Sequence, residues 1–126
     1  MMPPDKKIIP FYTTRGDADA FMVFPYLFNR LGEWIGWVTQ EREVYSVLGY
    51  YVGFLSKDHR ILRERFPKTI KPNLQPPNRP IRVMPPATIP LAPMMSELLY
   101  STVDVLLDEP ERLHTLDFGE FREDLD

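Results

Sequence analysis

The chain has 126 residues, 14 prolines, no cysteine and a formal net charge of −3, enough for one ordinary domain or a small domain with an extension. A chain without cysteine has no disulfides and no thiolate metal sites, which fits a reducing compartment and leads us to expect a cytoplasmic protein. The negative balance argues against nucleic-acid binding by the chain as a whole, and no apolar run approaches the roughly 20 residues a bilayer crossing needs. The opening Met1-Met2-Pro3-Pro4-Asp5-Lys6-Lys7 has no apolar h-region and no small-residue cleavage site, so no signal peptide is expected.

A repeat organises the first half. Phe28-Asn29-Arg30-Leu31-Gly32-Glu33-Trp34-Ile35-Gly36-Trp37-Val38 recurs 17 residues later as Tyr45-Ser46-Val47-Leu48-Gly49-Tyr50-Tyr51-Val52-Gly53-Phe54-Leu55. A weaker copy starts at Tyr12 and runs through Gly16 and Ala20, and the opening of a fourth begins at Leu62 and meets Pro67. Each copy reads as a β-hairpin. Its aromatic and β-branched residues suit a half-buried pleated surface, and its first glycine (16, 32, 49) falls where a tight turn needs positive φ. Thr13, Asn29 and Ser46 occupy equivalent positions and read as structural turn residues. Simple alternation along the second arm puts Ile35 and Trp37 on one face and Trp34 and Val38 on the other. The second small residue (Ala20, Gly36, Gly53) is expected where hairpins pack together about a pseudo-symmetry axis. The polar stretches 40–43 and 56–60 are the expected connecting turns.

Nine of the 14 prolines lie between residues 67 and 93, which excludes helix and central strand and predicts extended backbone. Ile81, Val83, Met84, Ile89, Leu91 and Met94 make this arm too apolar for a free linker, so it is expected to lie along a surface of its own domain or of a partner subunit. Ser96 then reads as an N-cap, with Leu98, Leu99, Val103, Leu106 and Leu107 at helical spacing, and the helix should end before Pro110. A further short turn is expected at Pro110-Glu111-Arg112-Leu113. Charge is split: residues 104–126 hold nine acids against two arginines (−7), whereas residues 57–82 hold eight Lys/Arg against two acids (+6).

The two central copies, 29–38 and 44–55, resemble the bacterial 4-fold β-flower family, in which hairpins of the type aromatic-x-x-x-Gly-x-x-Val-Gly/Ala-aromatic-Leu surround a pseudo-fourfold axis. The resemblance covers roughly residues 8–63 and implies a β-repeat architecture. It carries no catalytic residue, and no functional residue transfers from it.

Chemistry is sparse. His59 and His114 are 55 residues apart in charged, turn-like settings, and no HExxH, EF-hand, G-x-S-x-G or phosphate loop is present. Asp17 and Asp19 flank a hairpin turn and read as solvated. No catalytic, cofactor or metal site is therefore assigned. The basic run around Lys57, Arg60, Arg63, Arg65, Lys68 and Lys71 reads first as a protected strand edge or a partner for the acidic tail, with nucleic-acid binding through residues 57–82 as the alternative. Trp34, Trp37, Tyr50, Tyr51 and Phe54 exceed what one thin sheet can cover, so core or subunit contact is expected, with a small-ligand or enzyme cleft as a further alternative.

The sequence thus predicts a mainly β protein: antiparallel hairpin repeats of about 16–17 residues about a pseudo-symmetry axis (residues 8–66), a proline-rich extended arm (67–95), and a C-terminal α-helix with an acidic tail (96–126). Its expected role is that of a non-enzymatic structural or interaction module, a homo-oligomer without membrane contact, its partner or ligand surface drawn from Trp34, Trp37, Tyr50, Tyr51, Arg60 and Arg63.

Overall fold

A computed structural model describes residues 7–116; the acidic tail 117–126 and the first six residues lie outside that range. Eight strands form one antiparallel sheet in sequence order: β1 Ile9–Tyr12, β2 Ala18–Val23, β3 Tyr26–Asn29, β4 Trp34–Val38, β5 Glu43–Ser46, β6 Tyr51–Leu55, β7 Ile61–Glu64 and β8 Thr102–Asp104. The sheet curls into a half-barrel. At its closing edge the amide of Tyr12 donates to the carbonyl of His59 in the β6–β7 turn (2.8 Å).

The three turns inside the hairpins are built alike. Gly16, Gly32 and Gly49 have φ of +91°, +80° and +89°, and each amide donates to the residue three earlier: Thr13, Asn29 and Ser46. Those same residues accept two further amides through their side-chain oxygens, from positions two and four ahead. A short polar side chain satisfying turn amides is the Asx or Ser/Thr device. The turn role read from the sequence for Thr13, Asn29 and Ser46 is what they perform. Polar turns at 39–43 and 56–60 join successive hairpins, and there Arg42 and His59 adopt positive φ of 66° and 63° without being glycine.

Face alternation departs from expectation. Phe28 pairs with Trp34 and Leu27 with Gly36, leaving Ile35 as an extra residue. Val52 is extra in the same way on β6, and Asp19 on β2. Such a bulge turns two consecutive residues to one face. Ile35 and Val38 therefore point into the curl, whereas Trp34 and Trp37 share the outer face. Glycine next to the bulge has its own cause: a Cβ on Gly36 would stand 2.6 Å from the Tyr45 carbonyl oxygen and 2.9 Å from Leu113.

The inner core comprises Phe11, Met22, Leu27, Ile35, Val38, Val44, Val52, Leu55 and Ile61, closed by Val105, Leu106 and Leu113 from the C-terminal segment. The helix expected from Ser96 does not form there. Residues 102–104 instead pair with β7 as β8, and between residues 96 and 113 α-helix is confined to Val105–Asp108 (α1), capped by the Asp104 carboxylate on the Leu107 amide. Thr102 and Val103 are β-branched, and pairing with the otherwise open β7 edge outweighs a weak helical periodicity. The turn at Pro110–Arg112 forms with proline in its first position.

Candidate interaction surface

Between β7 and β8, residues 65–101 contain neither helix nor strand. This proline-rich connection is nonetheless held at defined points. The Leu74 amide donates to the Gly49 carbonyl (2.9 Å) and the Val83 amide to the Gly32 carbonyl (3.1 Å). Tyr26 Oη donates to the carbonyl of Asn78 (3.0 Å), Tyr12 Oη to that of Pro90 (2.7 Å), and Arg82 Nε to that of Leu31 (2.9 Å). A methyl group on Gly32 would be driven into the Val83 carbonyl oxygen, and one on Gly49 into that of Leu74. Here the absent side chain, besides the positive φ, is what lets another backbone approach.

One side of the connection covers the outer face. Val83 packs against an aromatic cluster of Phe28, Trp34, Trp37 and Tyr45, with Tyr26 and Tyr51 at its margin. Trp37 and Tyr45 stack at 5.1 Å between ring centroids, and Tyr51 meets Tyr45 edge-on at 5.6 Å. Both indole N–H groups are satisfied internally, Trp34 on the Gly36 carbonyl and Trp37 on that of Ser46. Burial raises the pKa of the Tyr45 and Tyr51 hydroxyls, with Glu43 adding to it. The other side faces outward: Ile81, Met84, Leu91 and Met94 are 85%, 86%, 95% and 99% exposed.

The six residues singled out from the sequence do not converge on one place. Trp34 and Trp37 are covered within the aromatic cluster. Tyr50, Tyr51 and Arg63 do meet, with Phe54, Lys71 and Arg112, along an open groove of about 540 Å³. Its cations are already engaged. Arg63 forms a two-point pair with Glu109 (2.5 and 2.7 Å), Arg112 shares that carboxylate (2.7 Å), and Lys71 reaches Glu43 (2.7 Å). The Arg63 hydrogen bond, opposed by burial and helped by Arg112, lowers the Glu109 pKa to about 2.

Arg60 stands elsewhere and is 1% exposed. Its guanidinium binds both oxygens of Asp58 (3.1 and 2.6 Å), Thr14 Oγ1 (3.1 Å) and the Ser96 carbonyl (2.9 Å). Thr14 donates onward to Asp104 (2.5 Å), the residue that caps α1. One buried cation thus ties together the β1–β2 turn, the β6–β7 turn, the end of the connection and the start of α1. Burial alone would raise the Asp58 pKa, but hydrogen bonds from Arg60 and Ser56 and the Arg60 charge lower it. Other cations of the basic run also serve the fold: Arg65 donates to the Tyr100 carbonyl (2.7 Å) and sits 4.2 Å from that ring's centroid.

Sequence reasoning placed Val83 on a surface-lying arm, and the structure packs it on the aromatic cluster, but it missed Leu74 and Ala92 as contact residues. A signal was present, because Leu74-Gln75-Pro76-Pro77 recurs nine residues later as Val83-Met84-Pro85-Pro86, and Ala92 follows after another nine. Among the described residues no group of three or more His, Asp or Glu is placed to hold a metal ion, and no helix is long and apolar enough to cross a membrane. No protein-family model, curated protein or solved structure matches the chain.

Proposed function

We propose that the protein is a non-enzymatic structural module that self-associates in the cytoplasm, its hairpins arranged about a pseudo-symmetry axis in the manner of the β-flower family and its proline-rich arm carrying the contact between copies. The carrying observation is the outward row Ile81, Met84, Leu91 and Met94, each at least 85% exposed within 14 residues of chain. Isolated exposed apolar side chains are ordinary, but this density is typical of interaction surfaces. Recurrence of the hairpin turn at Gly16, Gly32 and Gly49 supports the repeat arrangement.

The partner is a second copy. Burying one side chain of this size contributes about 1.5–3 kcal/mol, so one row offers roughly 6–12 kcal/mol against an association cost of about 4–15 kcal/mol. A single row only breaks even. Two rows meeting across a twofold axis double the gain.

Light scattering on the full chain tests this. A dimer or larger species at micromolar concentration is expected, with Leu91→Glu plus Met94→Glu giving a folded monomer whose thermal midpoint no longer depends on protein concentration. A wild-type chain that stays monomeric to about 100 µM, beyond the range of a specific micromolar contact, refutes the reading.

A further inference from the structure

The geometry points to a binding site distinct from the outward apolar row: the glycine turns form a receptor for a proline-rich chain of pattern apolar-x-Pro-Pro, filled here by the protein's own residues 74–86. Two stations are alike in detail. At Gly49 the turn carbonyl accepts the Leu74 amide, the Leu74 carbonyl fills the space of the missing side chain, and Pro76 Cδ stands 3.4 Å from the position a Cβ would take. At Gly32 the Val83 amide, the Val83 carbonyl and Pro85 Cδ, again at 3.4 Å, do the same. A third station is partial, with Ala92 Cβ 3.8 Å from the corresponding point at Gly16.

Each element has a recognition rationale. The apolar residue supplies the one amide the turn accepts, and the prolines that follow need no donor partner of their own. Between the two stations the Tyr26 hydroxyl donates to the Asn78 carbonyl, and beyond the second the Tyr12 hydroxyl donates to that of Pro90. Aromatic grooves with hydroxyl donors recognise proline-rich chains because such chains lose little conformational freedom on binding. Val83 roofs the cluster containing both tryptophans of the protein. The two matching segments lie nine residues apart on one chain, so a single peptide spans both stations, and linkage of two weak contacts raises their combined affinity.

The test uses the full chain carrying Leu74→Asp and Val83→Asp, which frees both stations, with tryptophan emission as the readout. Emission of this variant is expected to shift red as Trp34 and Trp37 are uncovered. A synthetic peptide spanning residues 71–86 should reverse the shift saturably, and the same peptide with both aspartates should bind at least about tenfold more weakly per lost apolar side chain. Circular dichroism verifies that the sheet persists; if the double variant unfolds, Val83→Ser alone is read in the same way. The proposal is overturned if emission stays unshifted in a folded variant, or if millimolar peptide fails to reverse the shift. Reversal by added wild-type chain but not by peptide identifies a second copy as the occupant and equally overturns the peptide class.

Discussion

Replacing Gly32 by alanine isolates the close approach on which the docking of residues 74–92 depends. Alanine at φ +80° carries a left-handed penalty of about 1–2 kcal/mol, partly offset by about 0.4–1 kcal/mol from the smaller entropy of the unfolded chain. Its methyl is also driven into the Val83 carbonyl oxygen. The connection must then retreat, losing the Val83 amide bond to Gly32, worth about 1 kcal/mol, and the half-burial of Val83, worth about 1 kcal/mol more. The expected loss is therefore about 3 kcal/mol. Gly16→Ala is the internal control. Its φ of +91° brings similar strain, but the new methyl meets only Ala92 Cβ at 3.8 Å, an ordinary contact, so a loss of about 1 kcal/mol is expected. Urea unfolding of both variants, followed by circular dichroism and tryptophan emission, should separate them by about 2 kcal/mol, with early tryptophan exposure only in Gly32→Ala. Equal losses in the two variants would refute the reasoning, since backbone strain alone would then account for both.

Two further outcomes follow from the ion pairs. Arg60→Ala should cost about 3–5 kcal/mol, because Asp58 and Thr14 lose their common donor in a buried site; an Arg60→Ala chain that melts like wild type would remove Arg60 from its structural role. Glu109 has its pKa lowered to about 2 from 4.5, so the stability it contributes is complete above the unfolded value and is lost as pH falls from about 4.5 toward 2. At most about 3 kcal/mol is at stake. Denaturant midpoints of wild type and Glu109→Gln should differ most at pH 6, draw together at pH 3 and converge only near pH 2, and a gap that is constant with pH would show that Arg63 and Arg112 do not hold the carboxylate as described.

Much of the local structure was legible in the residues. Glycine with a Thr, Asn or Ser three positions earlier specifies a turn through its own φ preference and a nearby acceptor, and both are short-range properties. Proline density excluded helix and strand for residues 67–93 by removing donors. The inward turn of both Ile35 and Gly36 was not read, although a small residue after a β-branched one inside a strand hints at a bulge. The candidate site was legible only in part. Aromatic and cationic residue types marked a surface, but Arg60 and Arg63 end in different places, Arg60 paired with Asp58 two residues away and Arg63 with Glu109 from beyond β8.

Local residue pattern specified the hairpins, their turns, the absence of helix and strand across residues 67–93 and the apolar character of that segment. Only the tertiary structure decided that this segment runs back across Gly49, then Gly32, then toward Gly16, and that residues 102–104 complete the sheet as β8 rather than extend a helix. Turn chemistry is set within five residues of chain, whereas pairing between β7 and β8 or between Leu74 and Gly49 joins residues 25 or more apart. Such contacts depend on which edges and carbonyls are left unpaired once the hairpins have formed.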